Sequence, residues 1–227
     1  MNGDYLGTLA REAATLIDSV DRHPVLGAVI RGDASRDDYL CFLRSTYHYV
    51  RWSGPLLAET AEGIRRRGRP AWLLDLVDAK TAEEAPHDRW ALADLRRLGV
   101  NVELLKASAP PRAVLAYVEQ GRSLAESGSP GFLGAAYVLE VMSARRAAAA
   151  ARNLRTRAGI AHIEQALSFL DGHADADADH VALLDQALRR IDDPNDQDDL
   201  CLAAKQMQRL YPRFFIPAPP LAAREAA

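Results

Sequence analysis

The sequence predicts an all-α protein: a single-domain helical bundle of about seven helices. Three observations carry this expectation. Apolar residues return at three- and four-residue spacing along nearly the whole chain. No alternating apolar run or Asn-Gly hairpin marks a pair of strands. A chain of 227 residues, 48% of them apolar, is long enough to bury one substantial core. The domain is expected to span residues 1–217, with 218–227 as a frayed tail.

The elements follow in order from local signals. The first helix covers about residues 4 to 21, with Leu6, Leu9, Ala13, Leu16, Ile17 and Val20 on its inner stripe. Pro24 opens a short helix that stops at Gly32. Ser35 caps a long helix through Tyr39, Phe42, Leu43, Tyr47 and Val50, with a kink expected at Ser53-Gly54-Pro55 and an end near Gly68. A third long helix is expected from Pro70 to about Leu98, where Gly99 terminates it. Pro111 starts another that ends near Ser127-Gly128. Ser129-Pro130 precedes an alanine-rich helix from Phe132 to about Leu154, the most apolar of the set. Residues 160–191 read as the next helix, with a bend at Gly172. Asp193-Pro194-Asn195-Asp196 then turns the chain into a last helix that reaches about Tyr211.

Composition narrows the function classes. A net charge of −3 gives no basis for a nucleic-acid partner or an anionic membrane surface. The basic residues are nearly all arginine, with Lys80, Lys106 and Lys205 the only lysines. Cys41 and Cys201 are the only cysteines and stand far apart, so no disulfide framework is implied and a reducing interior is expected. No apolar run approaches the roughly 18 residues of a membrane span, and no basic-then-apolar leader opens the chain. These features predict a soluble, cytoplasmic protein with no membrane partner, and a homodimer is the default assembly.

Chemistry concentrates in three places. In the stretch Gly172 to His180, aspartate alternates with alanine between two of the chain's six histidines. Wound as a helix at about 100° per residue, His173, Asp177 and His180 fall within a sector of roughly 60°, and Asp175 and Asp179 point the other way. The same stretch also reads as a surface helix. It does not read as an EF-hand, because His180 stands where the loop glycine belongs and Gln186 where the closing glutamate belongs. In the third helix, Glu84-Ala85-Pro86-His87 is a Glu-x-x-His pair on one face, with Glu83 adjacent as a substitute. Pro86 removes a backbone hydrogen bond there, so the helix is expected to bend or partly unwind between the two. In the alanine-rich helix, Glu140 lies among small and apolar residues and needs a partner, either an arginine such as Arg145 or Arg146 or a metal. Mixed carboxylate and imidazole donors from facing helices are what di-iron and di-manganese sites use, and the lack of thiolates argues against structural zinc.

The order of these elements resembles the haem-oxygenase-like di-iron oxidases and oxygenases. That branch shares a superfamily with haem oxygenases, thiaminase-II proteins and pyrroloquinoline quinone synthase. The resemblance covers about residues 10 to 215. It rests on Glu84 and His87, then Glu140, then His173, Asp177 and His180, with supporting text in Glu83 to Trp90, Asp94 to Gly99, and His23-Pro24 through Tyr47. It implies that these six residues hold two iron ions, with manganese as a substitute, and that Asp175 and Asp179 do not touch metal. It further implies O2 as co-substrate, an external electron donor, and a small-molecule substrate such as an amino acid, amine or fatty acid. The outcomes it implies are N-oxygenation, desaturation or C–C cleavage. Tyr47, His48, Arg51 and Tyr137 are candidates to line the substrate pocket. Two rivals share the fold: a haem oxygenase, for which His23 is the only candidate haem ligand, and a thiaminase-like hydrolase, which needs Cys41 or Cys201 as nucleophile. The rival outside enzymology is a helical binding protein in which the six residues are unrelated.

Overall fold

In a computed structural model, ten α-helices and two 3₁₀ turns are found among the described residues. It describes the backbone of residues 4–216 and, within that range, every side chain except those of residues 175–179. The helices are α1 (Tyr5–Arg22), α2 (Pro24–Arg31), α3 (Arg36–Arg66), α4 (Ala71–Glu84), α5 (His87–Arg97), α6 (Val102–Ala107), α7 (Arg112–Ser127), α8 (Phe132–Arg157), α9 (Ser168–Leu188) and α10 (Pro194–Leu210). The 3₁₀ turns are Ile163–Gln165 and Tyr211–Phe215.

Local chemistry sets most boundaries. Asp4 caps α1 by accepting from the Gly7 N–H. Ser35 and Asp38 form a reciprocal capping box at the start of α3. Pro24 and Pro194 occupy first-turn positions, where no N–H is missed, and Gly32 and Gly128 close α2 and α7 in the left-handed region. α3 continues as one helix past Pro55, with the Ser53 hydroxyl donating to the Val50 carbonyl at 3.1 Å.

Two identifiable features raise the count of helices among the described residues above the expected seven or so. The helix expected from Pro70 to Leu98 is two helices, because Pro86 ends the hydrogen-bond ladder and stands as the N-cap of α5. The short α6 has six residues, too few to show an apolar period. The helix expected over 160–191 begins only at Ser168, after a 3₁₀ turn. α9 runs unbroken through Gly172, from Ser168 to Leu188. The hydrogen of Gly172 admits the Trp90 ring, since a Cβ there would lie 2.5 Å from a ring carbon.

α8 is the axis of the bundle and packs against α9, α10, α1 and α2, while α3 packs against α4, α5 and α7. Helices cross closely at Gly134, where a Cβ would lie 2.1 Å from the Leu200 carbonyl oxygen of α10, and at Gly63, where it would lie 2.0 Å from the Ala125 carbonyl oxygen of α7. Between these groups lies a cavity of about 230 Å³. No helix among the described residues is long and apolar enough to cross a membrane.

Candidate metal centre

The cavity gathers side chains that the sequence holds far apart. Glu83 and Glu84 reach it from the end of α4, His87 from the start of α5, Glu140 from the middle of α8, and His173 and His180 from α9. Five of the six ligands expected from sequence therefore meet at one place, together with Glu83. The sixth, Asp177, lies outside the described residues, as do Asp175, Asp179 and the tail from 218 onward.

These donors form two groups. The first is Glu84, His87 and His173. The break at Pro86 does not separate the Glu-x-x-His pair: Glu84 Oε2 lies 3.0 Å from His87 Nδ1. The His87 and His173 rings lie 4.5 Å apart between centroids and tilted at 47°, flanked by Trp90 and Phe169. His173 Nδ1 lies 2.7 Å from the Phe169 carbonyl oxygen, which can only accept, so Nδ1 carries the proton and Nε2 keeps its lone pair for a metal. Burial pushes the His173 pKa down to about 4, and the neighbouring His87 adds to this, so the ring is neutral at physiological pH. Burial works to raise the Glu84 carboxyl, but the hydrogen bond and charge of His87 outweigh it and hold the group below its ordinary value.

The second group is Glu83, Glu140 and His180, and Lys80 joins it. His180 Nδ1 sits 2.8 Å from Glu83 Oε1. The Lys80 ammonium is 2.7 Å from Glu83 Oε2 and in close ionic contact with Glu140. Burial pushes the Glu140 carboxyl up, and Lys80 offsets this only in part. Burial disfavours the Lys80 ammonium, yet Glu140 and Glu83 hold its pKa above the ordinary value. Both Glu140 oxygens are fully buried, and among the described residues Oε1 meets only the Lys80 ammonium while Oε2 has no hydrogen-bond partner.

Among the described residues, no three His, Cys, Asp or Glu side chains already converge on one ion position. The donor chemistry nevertheless suits iron. It offers imidazoles, with a free nitrogen on His173, carboxylates, no thiolate, and a buried glutamate, Glu140, met only by Lys80 among the described residues.

A residue outside the donor set positions part of it. Asp94, fully buried on α5, accepts from the Ser168 N–H at 3.0 Å and the Phe169 N–H at 2.9 Å, and Arg97 pairs with it at 3.2 Å. It thus caps α9, whose own N-cap residue, Leu167, provides no side-chain bond, and sets where His173 emerges. Asp94 and Lys80 were both legible in principle. Asp94 lies seven residues past His87 in a buried stripe with Ala91 and Leu95, and Lys80 shares the α4 face with Glu83 and Glu84.

The four expected substrate-pocket residues are not among those lining the cavity. α3 presents Tyr49, Val50, Ser53 and Leu57 to it, and the helical turn carries Tyr47, His48 and Arg51 to other sides. His48 meets Ser108 at 3.2 Å, and Arg51 lies over the Tyr47 ring at 5.4 Å. On α8, Tyr137 falls outside the cavity stripe, and its surroundings include Asp185 and Arg189. His23 and the two cysteines also lie off the cavity. His23 Nδ1 accepts from the Leu26 N–H as the cap of α2, while Cys41 and Cys201 contact backbone carbonyls.

The fold is shared with known structures. At 22% identity, a domain of unknown function with a haem-oxygenase-like fold from Shewanella denitrificans superposes with a TM-score of 0.78, covering 92% of this chain and 90% of that one. A TenA homologue from Pseudomonas syringae pv. tomato follows at 0.73 and 15% identity, covering 93% and 91%. Another from Pyrococcus furiosus gives 0.68 at 14%, covering 93% and 98%. No curated protein matches the sequence significantly. The family model described as "iron-containing redox enzyme" matches residues 40–211, a span that contains every donor described above. The chain belongs to this iron-containing redox enzyme family, on a haem-oxygenase-like fold.

Proposed function

We propose that this protein is an O2-dependent non-haem iron oxidoreductase acting on a small molecule with an apolar body. The observation that carries the reading is the meeting of two carboxylate–imidazole groups from α4, α5, α8 and α9 in one cavity. Glu84, His87 and His173 would hold one iron, and Glu140, His180 and Asp177 a second, with Glu83 alongside. When bound, iron supplies the activation of O2 that no protein side chain provides.

The chain's own residues would do the rest. The Phe169 carbonyl keeps His173 in one tautomer, and Trp90 and Phe169 keep bulk water from the imidazoles. Beyond the donors, the wall is apolar. α8 lines it from Phe132 to Ala150, roughly 27 Å of helix. Arg146 also lines it but is clamped by Asp21 in a two-point pair at 2.7 and 2.6 Å, so the wall favours an aliphatic or aromatic body. An external electron donor would supply the reducing equivalents. The haem-oxygenase and cysteine-hydrolase readings gain no support, since His23, Cys41 and Cys201 all lie off the cavity.

Anaerobic loading with excess Fe(II) tests the reading. Iron should enter to a limit of two ions per chain and be lost in His173→Ala and in Glu140→Ala, with rapid O2 consumption on re-aeration. A Soret band after mixing with haem, with no uptake of free Fe(II), would overturn it.

A further inference from the structure

We propose that the Lys80 ammonium is a built-in cation standing at one of the two metal positions, so that the protein takes one divalent ion tightly and a second only when Lys80 leaves Glu140. This inference rests on the iron-site reading above and specifies its stoichiometry.

Three observations lead to it. First, Lys80 is 5% exposed, in a chain with only three lysines, and lysine is among the residues least often found buried. Its charge would be costly there unless paired, and the partners that offset the cost are carboxylates of the cavity. Second, its partners are donors of the candidate site. Its ammonium joins Glu83 at 2.7 Å to Glu140, bridging α4 and α8 as a coordinated ion would. Third, Lys80 is the one cation in contact with Glu140, whose two buried oxygens otherwise lack partners among the described residues. In the first group Glu84 meets the His87 ring at 3.0 Å instead.

Charge points the same way. The ammonium already pairs with Glu83 and Glu140, carboxylates that a second ion would need. A second ion arriving while Lys80 remains would meet a positive charge at its own position. If Lys80 spends no more than about a tenth of its time away from Glu140, the second ion's apparent affinity falls at least tenfold.

Equilibrium dialysis of the full-length protein against Mn(II) reads this directly, without turnover. The wild type should bind one equivalent, with the second roughly tenfold weaker or more. Lys80→Met should bind two equivalents of similar affinity, and Lys80→Arg, which keeps the charge, should stay at one. Two equal equivalents in the wild type, or an unchanged profile in Lys80→Met, would overturn the role of Lys80 and leave the iron-site reading standing. No uptake by any of the three proteins would overturn both. Because Lys80→Met leaves Glu140 uncompensated, circular dichroism should accompany it. Should that variant fail to fold, the wild-type isotherm alone still decides, since two tight equivalents sink the proposal.

Discussion

The two halves of the donor set are built on opposite principles. Glu84, His87 and His173 are anchored: one hydrogen bond, a carbonyl-fixed imidazole and close ring packing define them. The α9 end of this half hangs from Asp94, and Trp90 seats against Gly172. Glu83 and Glu140 are joined through the ammonium of one lysine from α4, and His180 meets Glu83 at 2.8 Å, with no backbone bond or aromatic neighbour for this half among the described residues. The difference teaches that a candidate metal site need not be preorganised evenly. Packing and backbone bonds can hold one half while the other depends on a single cation.

Substitutions can test that contrast. The largest effect is expected from Asp94→Ala, which strips the cap of α9 and leaves two buried N–H groups unpaired. Urea unfolding should show a loss of about 2–3 kcal/mol, with Asp94→Asn recovering part of it. Metal affinity at the first equivalent should fall with it. If affinity holds while stability drops, the anchored half does not depend on α9's cap and the comparison breaks.

Gly172→Ala comes next. Its methyl group would be pressed into the Trp90 ring, costing about 1–3 kcal/mol in thermal unfolding. The double variant Gly172→Ala/Trp90→Leu should regain part of that loss, a coupling that only direct contact produces.

The smallest effect belongs to a pair outside both halves. Hydrogen bonds from Arg146 hold the Asp21 carboxyl below its ordinary range. That stabilisation is present above the unfolded carboxylate value of about 4 and is lost as pH falls through the lower folded value. Asp21→Asn should therefore cost up to about 1 kcal/mol at neutral pH and converge on the wild type in acid. An equal deficit at pH 7 and in strong acid would show that the pair acts by packing and not by charge.

Much of this molecule was legible in its sequence. The helical class follows from apolar spacing, and α1, α2, α7, α8 and α10 begin and end close to their caps and prolines because those signals act within one turn. Glu84, His87, Glu140, His173 and His180 could be named because donors on one helix face need only a helical period to be seen together. The seven-helix count failed where signals were weak or ambiguous. Pro86 could have been a bend or a stop, and only packing made it a stop. Tyr47, His48, Arg51 and Tyr137 were placed near the cavity by their chemistry, whereas the rotation of α3 and α8 about their axes turns them elsewhere. That rotation is set by every neighbour of a helix at once, and no local pattern encodes it.

By itself, then, the sequence determined which side chains share a helix face, and so which donors exist and in what order. Only the tertiary structure decided what stands among them. Asp94 reaches from α5 to cap α9, and Lys80 reaches from α4 to Glu140 on α8, 60 residues away along the chain. Both are contacts between helices. Their energies depend on burial and distance in the folded bundle, quantities that exist only after the helices have packed.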